Sequence, residues 1–222
     1  MTTEHWSELL RPERIERLRG VVSRRTSQVT MLLEAVDKGH NQSAILRTCE
    51  AFGHVDVHIV RNAEGQPFSP SKGITQGSDK WLRLHQHDSI SDAIGELKSQ
   101  GFQVFASRLD ERARPLPELD LTGKVALVMG NERDGISDEV AELCDATYMI
   151  PMLGFVQSFN VSVAAALSMY EVYRQRLDKY GANGDLTEEE QEGLFEHFVE
   201  RSLENRVLRQ LQKESETPTT ES

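Results

Sequence analysis

Three stretches of this chain carry polar residues at spacings that could do chemistry. NQSAILR, Asn41 to Arg47, sets an amide and a guanidinium six residues apart. On a helix that is about 600° of rotation, so the two side chains diverge by ~120° around the axis. The pair reads either as a helix N-cap followed by a solvated arginine, or as a cap that leans toward an anion-gripping guanidinium. MGNERDGIS, Met129 to Ser137, runs from a strand through a loop bearing Gly130 and Gly135 into a helix. Open α/β sheets bind ligands in loops at the carboxyl ends of their strands, and glycines let backbone come close to a ligand. Ile136 and Ser137 stand where a P-loop carries Lys-Ser/Thr, and no G-x-G-x-x-G follows a strand, so triphosphate and dinucleotide sites are disfavoured. The alternative is a tight turn with Glu132 solvated. IPMLGFVQSFNVSVAAALS, Ile150 to Ser168, breaks at Pro151 and Gly154, and a helix opens at Ser158 or Asn160. Ser158, Asn160 and Ser162 offer donors to an anion or hydroxyl. The small residues after them fit a buried core or a closely packed dimer helix.

These stretches need a scaffold, and the hydrophobic pattern supplies one. Residues 12–25 read as a helix with Pro12 in its first turn. Val29 to Val36 reads as a buried strand, and Asn41 as the cap of a helix that stops at Gly53. Strands are expected at Val55–Val60, Phe102–Ala106, Lys124–Met129 and Thr147–Ile150. Helices are expected at Ser89–Gln100, Ser137–Leu143, Ser158 to about Tyr180, and Leu186 to about Leu211, before a disordered KESETPTTES tail. Residues 61–80 read as turns. Strands alternating with helices imply a parallel sheet covered on both faces.

Composition narrows the classes. The 222 residues suit one domain with appendages. A mean hydropathy of -0.49 and the absence of a long uncharged run exclude an integral membrane helix. The polar start MTTEHWSELLRPER is unlike a signal peptide. Cys49 and Cys144 form no CxxC pair and read as reduced thiols in a cytoplasmic protein, and no zinc spacing or HExxH is present. A net charge of -11 argues against nucleic acid, but the acid is concentrated late: residues 178–222 hold 12 acidic and 5 basic residues. Residues 1–26 hold 6 arginines and 4 glutamates, so a local basic surface stays open.

In this order, N-x-S-A-I-L-R-T, M-G-x-E-x-x-G-I-S and I-P-M-x-G-x-V-Q-S-x-N-V-S-V-A-A-A-L resemble the three motifs of the SPOUT RNA ribose methyltransferases, most closely the TrmH-type tRNA (guanosine-18-2'-O)-methyltransferases. The resemblance covers about Pro12 to Tyr180. It implies an α/β fold whose parallel sheet is covered by helices and ends in a deep trefoil knot at about residues 124–180, with terminal helices besides. The implied domains are a helical extension over 1–26, a methyltransferase domain over 27–180, and a helix and acidic tail over 181–222. It implies a homodimer, with the helices starting near Asn41 and Ser158 at or near the interface. It implies S-adenosylmethionine as methyl donor, no metal, and an adenosine site lined by Ser107, Gly130, Ile150 and Phe159.

The implied reaction is methyl transfer to a ribose 2'-hydroxyl of tRNA. Arg47 matches the family's catalytic arginine. A guanidinium stays protonated near neutral pH, so its expected task is to grip the flanking phosphate and stabilise the forming alkoxide. Asn41 is expected to orient Arg47, Glu132 to fix substrate or the cofactor's exit, and Ser158 and Asn160 to position ribose and loop. Asn131 is assigned no role. The expected tRNA contacts are Arg11, Arg19, Arg24, Arg25, Lys72 and Lys80. The alternatives are ribose methylation of ribosomal RNA, for which about 28 residues before the first strand leave no room for a separate RNA-binding domain, and a non-catalytic RNA-binding protein of the same fold.

Overall fold

In the computed structural model the apolar runs become the centre of a seven-stranded sheet ordered β3-β2-β1-β6-β4-β7-β5, with every pairing parallel. The structure describes residues 10–61, 68, 72–75 and 77–216. The strands are β1 (Val29–Glu34), β2 (Asp56–Val60), β3 (Arg83–His87), β4 (Gln103–Ser107), β5 (Arg114–Pro115), β6 (Val125–Met129) and β7 (Ala146–Met149). The helices are α1 (Pro12–Val22), α2 (Gly39–Ala51), α3 (Lys72–Thr75), α4 (Ile90–Ser99), α5 (Asp138–Leu143), α6 (Val161–Tyr180) and α7 (Glu188–Glu216).

Central strands of a parallel sheet are buried on both faces and so are apolar without alternation. VALVM of β6 is buried at all five positions, yet its side chains divide between two cores. Val125, Leu127 and Met129 join Val29, Met31 and Leu33 under α2 and α6, which contribute Ile45, Leu46, Cys49, Ala165, Met169 and Val172. Ala126 and Val128 join Leu32 under α4 and α5, which contribute Ile90, Ala93, Ile94, Leu97 and Val140. Register pairs Leu33 with Met129, so β1 and β6 end level and their following loops emerge side by side.

The short helix α3 lies in the stretch read as turns, and two strands escaped the pattern. β3 (RLHQH) lies at the sheet edge, where one face and one row of backbone groups are open, so it carries no apolar alternation. β5 is only two residues long. Boundaries moved as well. The helix expected from Asn41 begins at Gly39, with Lys38 at its N-cap and no side-chain cap of its own, so Asn41 sits inside the first turn. α6 begins at Val161, capped by Asn160, whose Oδ1 accepts from Ser162 N at 2.9 Å, and ends at left-handed Gly181.

The chain divides into two compact units, residues 25–185 and residues 1–24 with 186–222. In the second unit α1 packs on α7. α7 opens with a reciprocal capping box: Glu190 N donates to Thr187 Oγ1 at 3.2 Å and Thr187 N to Glu190 Oε2 at 2.8 Å. α7 continues to Glu216, through residues expected to be tail, and the rest of that tail lies outside the described residues. No helix among the described residues is long and apolar enough to cross a membrane.

Candidate active site

A cleft of about 710 Å³ opens at the carboxyl ends of β4, β6 and β7. Ser107, Gly130, Glu132, Ile150, Ser158, Phe159 and Asn160 all line it. The four residues expected around an adenosine thus share one wall with three of the five expected catalytic residues. A cleft of this size falls in the range of small-molecule sites.

Gly130 explains part of its shape. A Cβ there would lie 2.1 Å from the backbone carbon and oxygen of Gly135. The loop folds back on itself through paired bonds, Asn131 N to Gly135 O at 2.8 Å and Gly135 N to Asn131 O at 3.0 Å. Beneath the cleft Tyr148 is fully buried; its hydroxyl donates to Ser168 Oγ on α6 at 2.9 Å and shares a hydrogen bond with Ser107. Burial pushes its phenol up and keeps it neutral. No sequence signal singled out Tyr148, because its role depends on strand register.

Asn41, Glu132 and Asn160, one from each motif, form a chain of hydrogen bonds. Asn41 Nδ2 donates to Glu132 Oε1 at 2.6 Å, and Asn160 Nδ2 donates to Asn41 Oδ1 at 3.2 Å. Glu132 also accepts from the backbone N–H groups of Asp37 (3.4 Å) and Lys38 (3.3 Å), so it anchors the segment that leads into α2. Burial by itself would raise the Glu132 carboxyl; the bonds from Asn41 and the backbone outweigh it and hold the carboxyl below the usual carboxylate range. Glu132 is therefore a fixed anion suited to positioning and unsuited to donating a proton.

Two expected roles change. Asn41 makes no direct hydrogen bond to Arg47: its amide bonds Glu132 and Asn160 instead, so any influence on Arg47 runs through α2. Glu132 lines the cleft but spends its hydrogen bonds on Asp37, Lys38 and Asn41. Arg47 itself stands exposed on α2, without a hydrogen-bond or ion-pair partner among the described residues, and does not line the cleft. A guanidinium so placed is free to meet a phosphate.

The expected RNA contacts divide. Arg11 and Arg24 are exposed. Arg19 is engaged by Glu192, at 2.8 and 3.3 Å, and stacks 4.0 Å over the Phe195 ring. Arg25 is withdrawn: only 1% exposed, it donates to Glu50 Oε1 at 2.7 Å and to the carbonyls of Glu50 and His54. It is a structural arginine that holds the end of α2, and phosphate cannot reach it. Lys80 is half-buried beside Trp81. The Lys72 side chain lies outside the described residues.

A parallel α/β sheet with a cleft beyond its strand ends, bordered by a glycine loop and a capped helix, places the chain among the open α/β folds that bind small ligands at that edge. Residues 28–170 match the SpoU rRNA methylase family, and the chain belongs to that family. It is 46% identical over 165 residues to the tRNA (guanosine(18)-2'-O)-methyltransferase of Thermus thermophilus, covering 74% of this chain and 84% of that one. It is 40% identical over 167 residues to the enzyme of the same name from Escherichia coli K12, covering 75% and 72%. Among solved structures, the TrmH/SpoU tRNA modifying enzyme of Aquifex aeolicus superposes with a TM-score of 0.79 at 37% identity, over 86% of this chain and 97% of that one. The AdoMet-bound rRNA methyltransferase of Sinorhizobium meliloti superposes with a TM-score of 0.61 at 27% identity, over 71% and 59%.

Proposed function

We propose that this protein transfers a methyl group from S-adenosylmethionine to a ribose 2'-hydroxyl of tRNA, at the guanosine of position 18. The observation that carries the reading is the hydrogen-bonded junction of Asn41, Glu132 and Asn160 beside the cleft, in a chain 40–46% identical to enzymes named for that reaction. The methyl donor is assigned to the cleft: the Gly130 backbone lies so close to the loop at Gly135 that no side chain fits between them, and Ser107, Ile150 and Phe159 would enclose the adenosine. Bound there, S-adenosylmethionine supplies an electrophilic methyl on a sulfonium.

The chain's own residues would do the rest. Arg47 binds the phosphate beside the target ribose and lowers the energy of the forming alkoxide. Asn160 and Ser158 hold the ribose edge of the cleft. Glu132 and Asn41 fix the root of α2 so that Arg47 meets the cleft mouth in register. No metal is assigned. The methyltransferase domain is taken as residues 27–180 with helical extensions at both ends and its knot at about 124–180; the support for the knot is family membership together with the insertion of β6 between β1 and β4. A cytoplasmic setting goes with the free thiols Cys49 and Cys144.

The test is transfer of labelled methyl to tRNA transcripts with and without a guanosine at position 18, against ribosomal RNA fragments. Labelling confined to the ribosomal fragments would overturn the substrate. Salt tests the surface: replacing Arg11 and Arg24 by Gln should weaken tRNA binding and flatten the log–log salt slope by about 0.7–0.9 for each phosphate no longer neutralised. An unchanged slope would move the RNA surface elsewhere.

A homodimer is part of the proposal, and the side of α6 that supports it is not the alanine side. Ala165 is fully buried in its own protomer's core, so an acidic substitution there would unfold the chain rather than split a dimer. Val163, Leu167, Tyr170 and Leu177 instead form an exposed stripe at helical spacing. Leu167→Glu with Tyr170→Glu should give a soluble monomer in sedimentation; an unaltered dimer would rule out this face.

A further inference from the structure

Ala35 is the single non-glycine residue with a positive φ, +50°, among the described residues. An L-residue held there is strained and persists only where its neighbours over-determine it. It lies between the end of β1 and the start of α2, the helix that carries Arg47. Its N–H donates to Val60 O at 3.0 Å. Its carbonyl accepts from Asn131 Nδ2 at 2.9 Å, and the same Nδ2 donates to Asp37 Oδ2 at 2.8 Å. Asn131 Oδ1 accepts from Arg133 N at 2.8 Å, while its backbone closes the glycine loop with Gly135. Every polar atom of the Asn131 side chain is thereby occupied within the protein, although the residue borders the cleft.

We infer that Asn131 is a positioning residue for methyl transfer: it clamps Ala35 in the left-handed conformation and so locks the Arg47 helix to the glycine loop of the cofactor cleft. Glu132, its neighbour, closes the other half of the same connection through Asp37 N, Lys38 N and Asn41. Leverage makes the clamp matter. Gly39 to Arg47 spans about 12 Å of helix, so a tilt of ~5° at the root moves the guanidinium by about 1 Å. Misplacement of that size in a reacting complex costs on the order of a hundredfold in rate.

The inference rests on the methyltransferase reading, and the experiment separates the two. Asn131→Ala should lower kcat by about 10–100-fold while the dissociation constant for S-adenosylmethionine, read by calorimetry, stays within about twofold. Ala35→Gly alone should be close to parental, since glycine adopts positive φ freely. In the double variant Ala35→Gly with Asn131→Ala, the glycine should restore at least about threefold of the lost kcat, because it removes the preference that the clamp opposes. Ala35→Val should reproduce the Asn131→Ala defect in kcat without touching Asn131, and it decides the matter if Asn131→Ala does not fold. Additive effects with no rescue, a parental kcat in Ala35→Val, or a defect confined to cofactor affinity would each overturn the clamp. If the parent methylates no tRNA, the functional reading fails instead. Amide hydrogen exchange at Asp37 and Lys38, which needs no activity, then still tests the clamp: faster exchange in Asn131→Ala upholds it, and unchanged exchange sinks it.

Discussion

Arg47→Ala should reduce methyl transfer at least about a thousandfold while the protein still binds S-adenosylmethionine with parental affinity. The separation of the two effects follows from where the residue sits. Arg47 is exposed on α2, outside the cleft lining, and makes no hydrogen bond or ion pair among the described residues, so its loss should disturb neither the fold nor the cleft. On the proposed mechanism, what disappears is a planar two-pronged donor for the substrate phosphate and the charge that would stabilise the forming alkoxide. Arg47→Lys should fail as well, by about a hundredfold, because an ammonium retains the charge and loses the fork. Single-turnover assays at saturating cofactor read both variants directly. Near-parental turnover in the lysine variant would show that charge alone suffices there, and the phosphate-grip account would fall.

Gly130→Ala should have the opposite signature, with cofactor affinity falling at least about tenfold and stability falling by ~1–3 kcal/mol, as for other small-to-large changes in tight sites. The added methyl carbon would meet backbone on the far side of the loop, 2.1 Å from Gly135 and 2.3 Å from Ile136 N. Backbone cannot swing aside as a side-chain tip can. The paired bonds between Asn131 and Gly135 would have to open, taking the cleft wall with them. Gly154→Ala in the third motif is the matched control: a Cβ there meets nothing within 4 Å, and stability should be unchanged. Calorimetry for affinity and thermal melting for stability check both. Parental cofactor affinity in Gly130→Ala would mean that the glycine loop is not the adenosine wall.

The sequence by itself determined the kind of fold and several residues that line the cleft. The apolar β6 and the largely apolar β1 read as central strands of a doubly covered parallel sheet, since both faces of such strands must be buried. Ser137, Ser89 and Gly181 behaved as local punctuation, because caps and left-handed stops are written within a few residues of the helix they end. The ordered motifs named Gly130, Ile150 and Phe159 before any geometry, and they share a cleft. Tertiary structure alone decided what each polar group does. Asn41 looked like a cap and became a link between two other motifs; the backbone leading into α2 is held by Glu132, 94 and 95 positions away in sequence. Arg25 sits in a basic run with Arg24, yet one is exposed and the other is buried against Glu50 and His54. Asn131 carried no signal, because a distant partner it holds is the backbone carbonyl of Ala35, and every residue type offers the same carbonyl acceptor. Helix periodicity and turn chemistry are short-range and survive in a linear string. Hydrogen bonds that close between strand ends depend on register and sheet order, which exist only once distant segments have packed.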